Sequence, residues 1–251
     1  MTESERDFDL DNNDESDERR LSFVEHLEEL RSRIIYCLIS LLVTTIVAFF
    51  FSERLLDILF YPGKISIQSF YFTSLLTPFN IRLKVAFWTG IIVSCPLILY
   101  QLWRFIAPAL KRKEKNVIKF IFWFALWFFL AGVLMAYFWI LPLGIPFLLG
   151  YATPNMKPII TVDEYISLTM VLLVAMGIVF ETPLVLIGLN KIGLITAAQL
   201  SKNRRYAFLI SVLLACAITP GSEFWTSLFL IIPLYLLYEL SIWLIMLIGK
   251  R

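Results

Sequence analysis

"VLLVAMGIVFETPLVLIGL", residues 171–189, is a run of apolar side chains broken by one acid, Glu181, and one proline, Pro183. A helix rises 1.5 Å per residue, so roughly 20 residues cross a hydrocarbon core of about 30 Å. A run of this length is either a membrane span or a fully buried helix, and the rest of the chain decides which. Five further apolar runs lie at about 34–51, 83–106, 117–141, 206–219 and 225–248. Of the 251 residues, 59% are hydrophobic, against roughly 45–50% in a soluble domain. The mean hydropathy is +0.78. The chain is built to face lipid, as an all-α integral membrane protein of six transmembrane helices, the fourth of them carrying Glu181.

The run at 206–219 is short. Between Arg205 and Pro220 lie only 14 residues, or about 21 Å of helix. Such a helix must thin the bilayer locally, or sit where water or protein replaces lipid.

Charge is segregated although its sum is only +2. Positive residues accumulate in cytoplasmic loops and set orientation. With the amino end inside, the cytoplasmic segments hold seventeen Lys and Arg, including Arg31, Arg33, the 111–115 cluster, Arg204 and Arg205. The other side holds five: Arg54, Lys64, Arg82, Lys84 and Lys157. Both termini are therefore expected in the cytoplasm. Residues 1–20 carry nine acids and few apolar groups, a composition that cannot bury enough surface to order itself. They read as a disordered acidic cytoplasmic tail ahead of a six-helix domain spanning 21–251. The loops at 52–80 and 142–165 contain Pro62, Pro142, Pro146, Pro154 and Pro158. Proline fixes φ and removes a donor, so these loops are expected to be rigid.

Cys37, Cys95 and Cys216 lie in apolar runs without metal-ligand spacing, and His26 is the single histidine. No metal or other cofactor is expected. No span contains His or Asp, so a Ser-His pair or an aspartyl dyad is unavailable inside the membrane. A phosphate-cradling glycine loop is also missing. An enzyme is therefore not expected, and energy would come from an ion gradient or a partner.

Three constellations carry chemistry. In Ser22-Phe23-Val24-Glu25-His26-Leu27-Glu28-Glu29-Leu30-Arg31-Ser32-Arg33, Ser22 and Glu25 form a capping-box pattern. Phe23, Leu27, Leu30 and Ile34 share one helical stripe. The polar face is either a solvated lead-in to the first span or a carboxylate cluster for a cationic partner. In Tyr100-Gln101-Leu102-Trp103-Arg104-Phe105-Ile106-Ala107-Pro108, the proline should end the helix. Glu114 then stands as the one acid in a basic loop. The third is Glu181, since an acid at mid-membrane costs about 2.5–3.5 kcal/mol on insertion scales. Pro183 loosens the backbone beside it, leaving the Val179 carbonyl without its usual helical donor. Glu181 is either a hydrogen-bonded acid of the bundle or a functional group. Glu239, in the sixth run, is a lesser case of the same kind.

Together these residues resemble the TatC family, the multi-spanning core of the twin-arginine protein translocase, over about 21–250. His26-Leu27-Glu28-Glu29-Leu30-Arg31 resembles the family's amino-terminal signature. Tyr100 to Leu110, with Glu114, resembles its first cytoplasmic loop, and Phe180-Glu181-Thr182-Pro183 its span-4 motif. The resemblance implies a concave, glove-like bundle in a bacterial inner membrane, or alternatively a thylakoid membrane. It implies a core receptor that binds paired-arginine signal peptides of folded precursors and uses the proton-motive force. Glu29 and Glu114 would contact the arginines, Phe105 would support the adjoining pocket, and Arg31 and Pro108 would shape it. Pro62 matches a proline of the family's first external loop, and Glu181 would face the concave interior and meet a partner. The implied partners are small single-span subunits of the TatA and TatB type, signal peptides, further copies of the chain and membrane lipid, with no nucleic acid. Pro220-Gly221-Ser222-Glu223 departs from the family's usual Pro-Asp turn. A rival reading is a proton-coupled small-molecule transporter with Glu181 as carrier, but no internal repeat accompanies it.

Overall fold

The computed structural model describes residues 3–65, 67, 69–106, 115–150, 159–191, 193–218 and 224–248. Within these, residues 3–26, 65, 103, 106, 115–122, 224–229 and 248 are described by their backbone alone. The helices are α1 (Glu3–Phe50), α2 (Ser52–Phe60), α3 (Thr77–Ile106), α4 (Lys115–Met135), α5 (Leu141–Leu149), α6 (Val162–Phe180), α7 (Thr182–Lys191), α8 (Ala197–Lys202), α9 (Arg204–Ile218) and α10 (Phe224–Ile248). One isolated bridge, Tyr71 with Thr161, is the β structure among the described residues.

Five stretches among these are long and apolar enough to cross a membrane: Leu27–Phe50, Thr77–Leu102, Trp123–Leu149, Val162–Lys191 and Leu230–Leu247. The fifth apolar run of the sequence becomes α9, whose 15 residues extend roughly 22 Å. It is not among the five, for the reason its length gave.

Two boundaries differ from expectation. The helix leading into the first span begins at Glu3, not at the Ser22 capping pattern. No Gly or Pro interrupts residues 3–50, and acids near a helix start interact favourably with its dipole. The third span does not stop near residue 141 ahead of a proline-rich loop. A single π-turn, Ala136–Ile140, links α4 to α5, so Pro142 and Pro146 lie within helix. Through this turn Leu141 N–H donates to the Ala136 carbonyl, five residues back. Pro142 then falls in the first turn of α5, where a missing amide proton costs little.

Close backbone approach fixes the main helix pairs. α1 packs along α3, and α4 along α6. A Cβ on Gly132 of α4 would stand 2.4 Å from the Met176 carbonyl oxygen of α6, and one on Gly177 of α6 would stand 2.6 Å from the Phe129 ring of α4. The two glycines thus make room for each other's helix, as small residues do between membrane helices. α10 packs against α7 and α9. The core runs through Val85, Ala136, Ile166, Met170, Met176 and Leu230, all at most 1% exposed. α1 presents Ile35, Leu38, Leu42, Ile46 and Phe50 outward, as a span facing lipid does.

Candidate functional site

Two contacts set the register between α1 and α3. Thr44 Oγ1 donates to the Gly90 carbonyl oxygen at 3.0 Å, and Arg33 Nη1 donates to Gln101 Oε1 at 3.4 Å. Going back along α1 from Thr44 to Arg33 covers as many residues as going forward along α3 from Gly90 to Gln101. The helices are antiparallel, and the same register puts Glu29 level with Phe105. Arg33 Nη2 also forms an ion pair with Glu29 Oε1, one turn back on α1. The Arg33 side chain is only 12% exposed, whereas that of Glu29 is 37% exposed. The guanidinium is therefore clamped between two helices while the carboxylate reaches the surface. Phe105 is half-buried beside this end of α3, and Arg31 is exposed.

The structure thus brings together Glu29 and Phe105 at one end of the α1–α3 pair. The expected roles of Pro108 and Glu114 fall on positions outside the described residues. So does the Pro220–Glu223 turn. The clamp of Arg33 by Gln101 was not legible beforehand. Gln101 sits inside the quoted motif, but its partner lies 68 positions away, and no local spacing signals such a pair.

Glu181 forms the turn between α6 and α7. Its amide donates to the Ile178 carbonyl oxygen at 3.0 Å, and its own carbonyl accepts from Val185 N–H at 3.0 Å. Pro183, fully buried, follows two residues on and cannot extend the α6 ladder. The break expected from the sequence is therefore present. Glu181 Oε1 is buried and has no hydrogen-bond partner among the described residues. An unsatisfied buried polar atom costs about 1–3 kcal/mol.

At the opposite end of the bundle the loops are locked. Pro62 and Gly63 are buried. Phe60, Phe70 and Tyr165 form an aromatic trio with centroids 4.7, 4.9 and 5.9 Å apart. Tyr165 donates its hydroxyl to the Leu59 carbonyl oxygen, and Tyr137 donates to that of Ile58, each at 2.7 Å. The bridge of Tyr71 to the strand-like 160–162 segment closes the cap, with bonds of 3.1 and 2.8 Å. Pro62 is thus a buried residue next to Gly63, where an added Cβ would stand 2.7 Å from the Tyr165 ring.

The second intramembrane acid is paired. Glu239 of α10 accepts from Arg204 at the start of α9 at 2.7 and 3.0 Å, and from the Tyr235 hydroxyl at 3.1 Å. This two-pronged contact ties α9 to α10.

A family model described as "Sec-independent protein translocase protein (TatC)" matches residues 25–233. The chain is 39% identical to the Sec-independent protein translocase protein TatC of Aquifex aeolicus over 231 residues, covering 89% of this chain and 94% of that one. It is 37% identical to the corresponding protein of Desulforapulum autotrophicum over 238 residues, covering 94% and 86%. Among solved structures, a crystal structure of the twin arginine translocase receptor TatC is similar with a TM-score of 0.81 and 39% identity, covering 90% of this chain and all of that one.

Proposed function

The chain belongs to the TatC family of Sec-independent protein translocase proteins, and on that premise we propose that Glu29 and Glu114 form one cytoplasmic receiving site for the paired arginines of a signal peptide. The family makes the chain the multi-spanning core subunit of the twin-arginine translocase, a multi-pass protein of a bacterial inner membrane and not an enzyme. The residue roles within it are the proposal. One observation supports them most: Arg33 bridges Glu29 to Gln101, so the two motif-bearing segments meet at one end of the bundle. Carboxylates are suited to receive guanidinium groups, which donate in a planar fork. Phe105, level with Glu29, would flank the bound segment, with Arg31 and Pro108 shaping the approach.

In this reading α9 is a sixth, short span, both termini are cytoplasmic, and the bundle is concave. Glu181 Oε1 would find its partner in a polar group of a single-span subunit of the TatA or TatB type, or in water held in that concavity. Further copies of the chain would complete a multimeric receptor, and transport would draw on the proton-motive force. A small-molecule transporter is not favoured, given the family. The test is binding of a twin-arginine peptide to the purified protein. Glu29→Ala and Glu114→Ala should each weaken it while leaving the fold unchanged, and full-strength binding by both would remove the proposal.

A further inference from the structure

Where α3 and α6 begin, at the end of the bundle away from Arg33 and Gln101, the chain holds a polar cavity of about 440 Å³. It is lined by Thr73, Thr77, Asn80, Leu83, Lys84 and Asp163. Small-molecule sites occupy about 300–1,000 Å³. Within it Lys84 Nζ stands 2.6 Å from Asp163 Oδ1 and donates to Ser167 Oγ at 3.3 Å. Both charged side chains stay accessible, 41% and 44% exposed. An ion pair this exposed contributes about 0–1 kcal/mol, so stability alone does not account for a concave site built around it.

The surroundings point to the occupant. Immediately before the cavity, Phe72, Leu75, Leu76 and Phe79 are exposed, Leu75 at 95%. Thr77 also starts one candidate membrane span and Val162 another. A cavity bearing one cation, one anion and three neutral polar side chains thus lies where two candidate spans begin, its lining residues interleaved in sequence with exposed apolar ones. That pattern complements a zwitterionic amphiphile.

We propose that this cavity binds the headgroup of a phospholipid carrying both a phosphate and a primary ammonium, a phosphoethanolamine lipid. The phosphate would take Lys84, with Thr73, Thr77 and Asn80 as neutral donors. The ammonium would take Asp163. Insertion replaces one Lys–Asp contact by two charge-assisted ones, so neither protein charge is left unpaired. A choline headgroup has no N–H to donate, and a glycerol headgroup has no cation for Asp163. The acyl chains would lie over the Leu75–Phe79 edge. The inference rests on the membrane reading of α3 and α6 and is independent of the paired-arginine site.

The test uses the full chain, stripped of lipid in detergent and returned to vesicles of equal phosphatidylethanolamine, phosphatidylglycerol and phosphatidylcholine. Lipid retained after gentle re-extraction is read by native mass spectrometry. Retention of the ethanolamine lipid should exceed each of the others at least about threefold, the scale of one charge-assisted bond partly screened by water. Lys84→Gln combined with Asp163→Asn should abolish the preference. Asn80→Leu, at an exposed position with the ion pair intact, should lower it, and it decides the matter if the double variant fails to fold. Equal retention of the three lipids, or an unchanged preference in the folded variants, would overturn the site. Displacement of the lipid by soluble glycerophosphoethanolamine at matched concentration would also overturn it, by assigning the site to a soluble ligand.

Discussion

Arg33 on α1 donates to Gln101 on α3 while its other terminal nitrogen pairs with Glu29. An acid meant to receive an arginine from outside is thus held by an arginine of its own helix. The two differ in exposure, and that difference assigns their roles: Arg33 is fixed between helices and positions Glu29, which faces out. Arg33→Ala removes a positive charge beside the site, and simple electrostatics would then favour an incoming cation. The positioning role gives the opposite sign. A twin-arginine peptide should bind several-fold more weakly to Arg33→Ala, with Arg33→Lys also impaired because an ammonium cannot span Glu29 and Gln101 in a fork. Tighter binding by Arg33→Ala would show that Arg33 merely competes.

The glycine contact between α4 and α6 gives a stability prediction. Gly132→Val places a branched side chain where a Cβ already meets the Met176 carbonyl oxygen at 2.4 Å. The helices must part, at a cost of about 1–3 kcal/mol. The variant should lower the unfolding midpoint in detergent measurably. Gly144→Ala, where nothing lies within 4 Å of the added carbon, should not.

Glu181 is tested by a series. If its buried oxygen serves by hydrogen bonding, Glu181→Gln should keep most export of a twin-arginine reporter and Glu181→Ala should lose more. Gln as poor as Ala would indicate charge or proton transfer instead. Full export by Glu181→Leu, at matched membrane levels, would leave the residue no functional part.

Orientation follows from the segregation of Lys and Arg. In a chain with Cys37, Cys95 and Cys216 replaced, Lys64→Cys should react with a membrane-impermeant thiol reagent in intact cells, and Gln199→Cys should react only after lysis. Both side chains are exposed, so access depends on the side of the membrane. Labelling of Gln199→Cys in intact cells would reverse the topology.

The spans were legible because their signal is local. Six apolar runs announced five long helices and one short one, and Pro183 announced the break at Glu181. Pro142 misled for a physical reason: proline normally ends a helix, but the π-turn at 136–140 resets the hydrogen bonding one residue ahead of it. Contacts distant in sequence left no trace. Lys84 and Asp163 lie 79 positions apart, and Tyr165 and Leu59 lie 106 apart. Glu239 was visible as an acid in an apolar run, yet its partner Arg204 looked like ordinary loop charge. The acidic lead showed no apolar pattern to announce a helix, yet α1 runs back through it to Glu3, with no Gly or Pro to stop it.

The account's central claim is that two carboxylates on separate segments receive two arginines. It is tested most directly by titrating a fluorescent twin-arginine peptide against the wild-type chain and against Glu29→Ala combined with Glu114→Ala, in low and high salt. Each charge-assisted contact contributes about 1.5–3 kcal/mol, or roughly 10- to 100-fold in affinity. The wild type should bind tightly and lose affinity as salt rises. The double variant should bind at least about tenfold more weakly and show little salt dependence. A double variant that binds the peptide at wild-type strength, with the same salt dependence, would contradict the account.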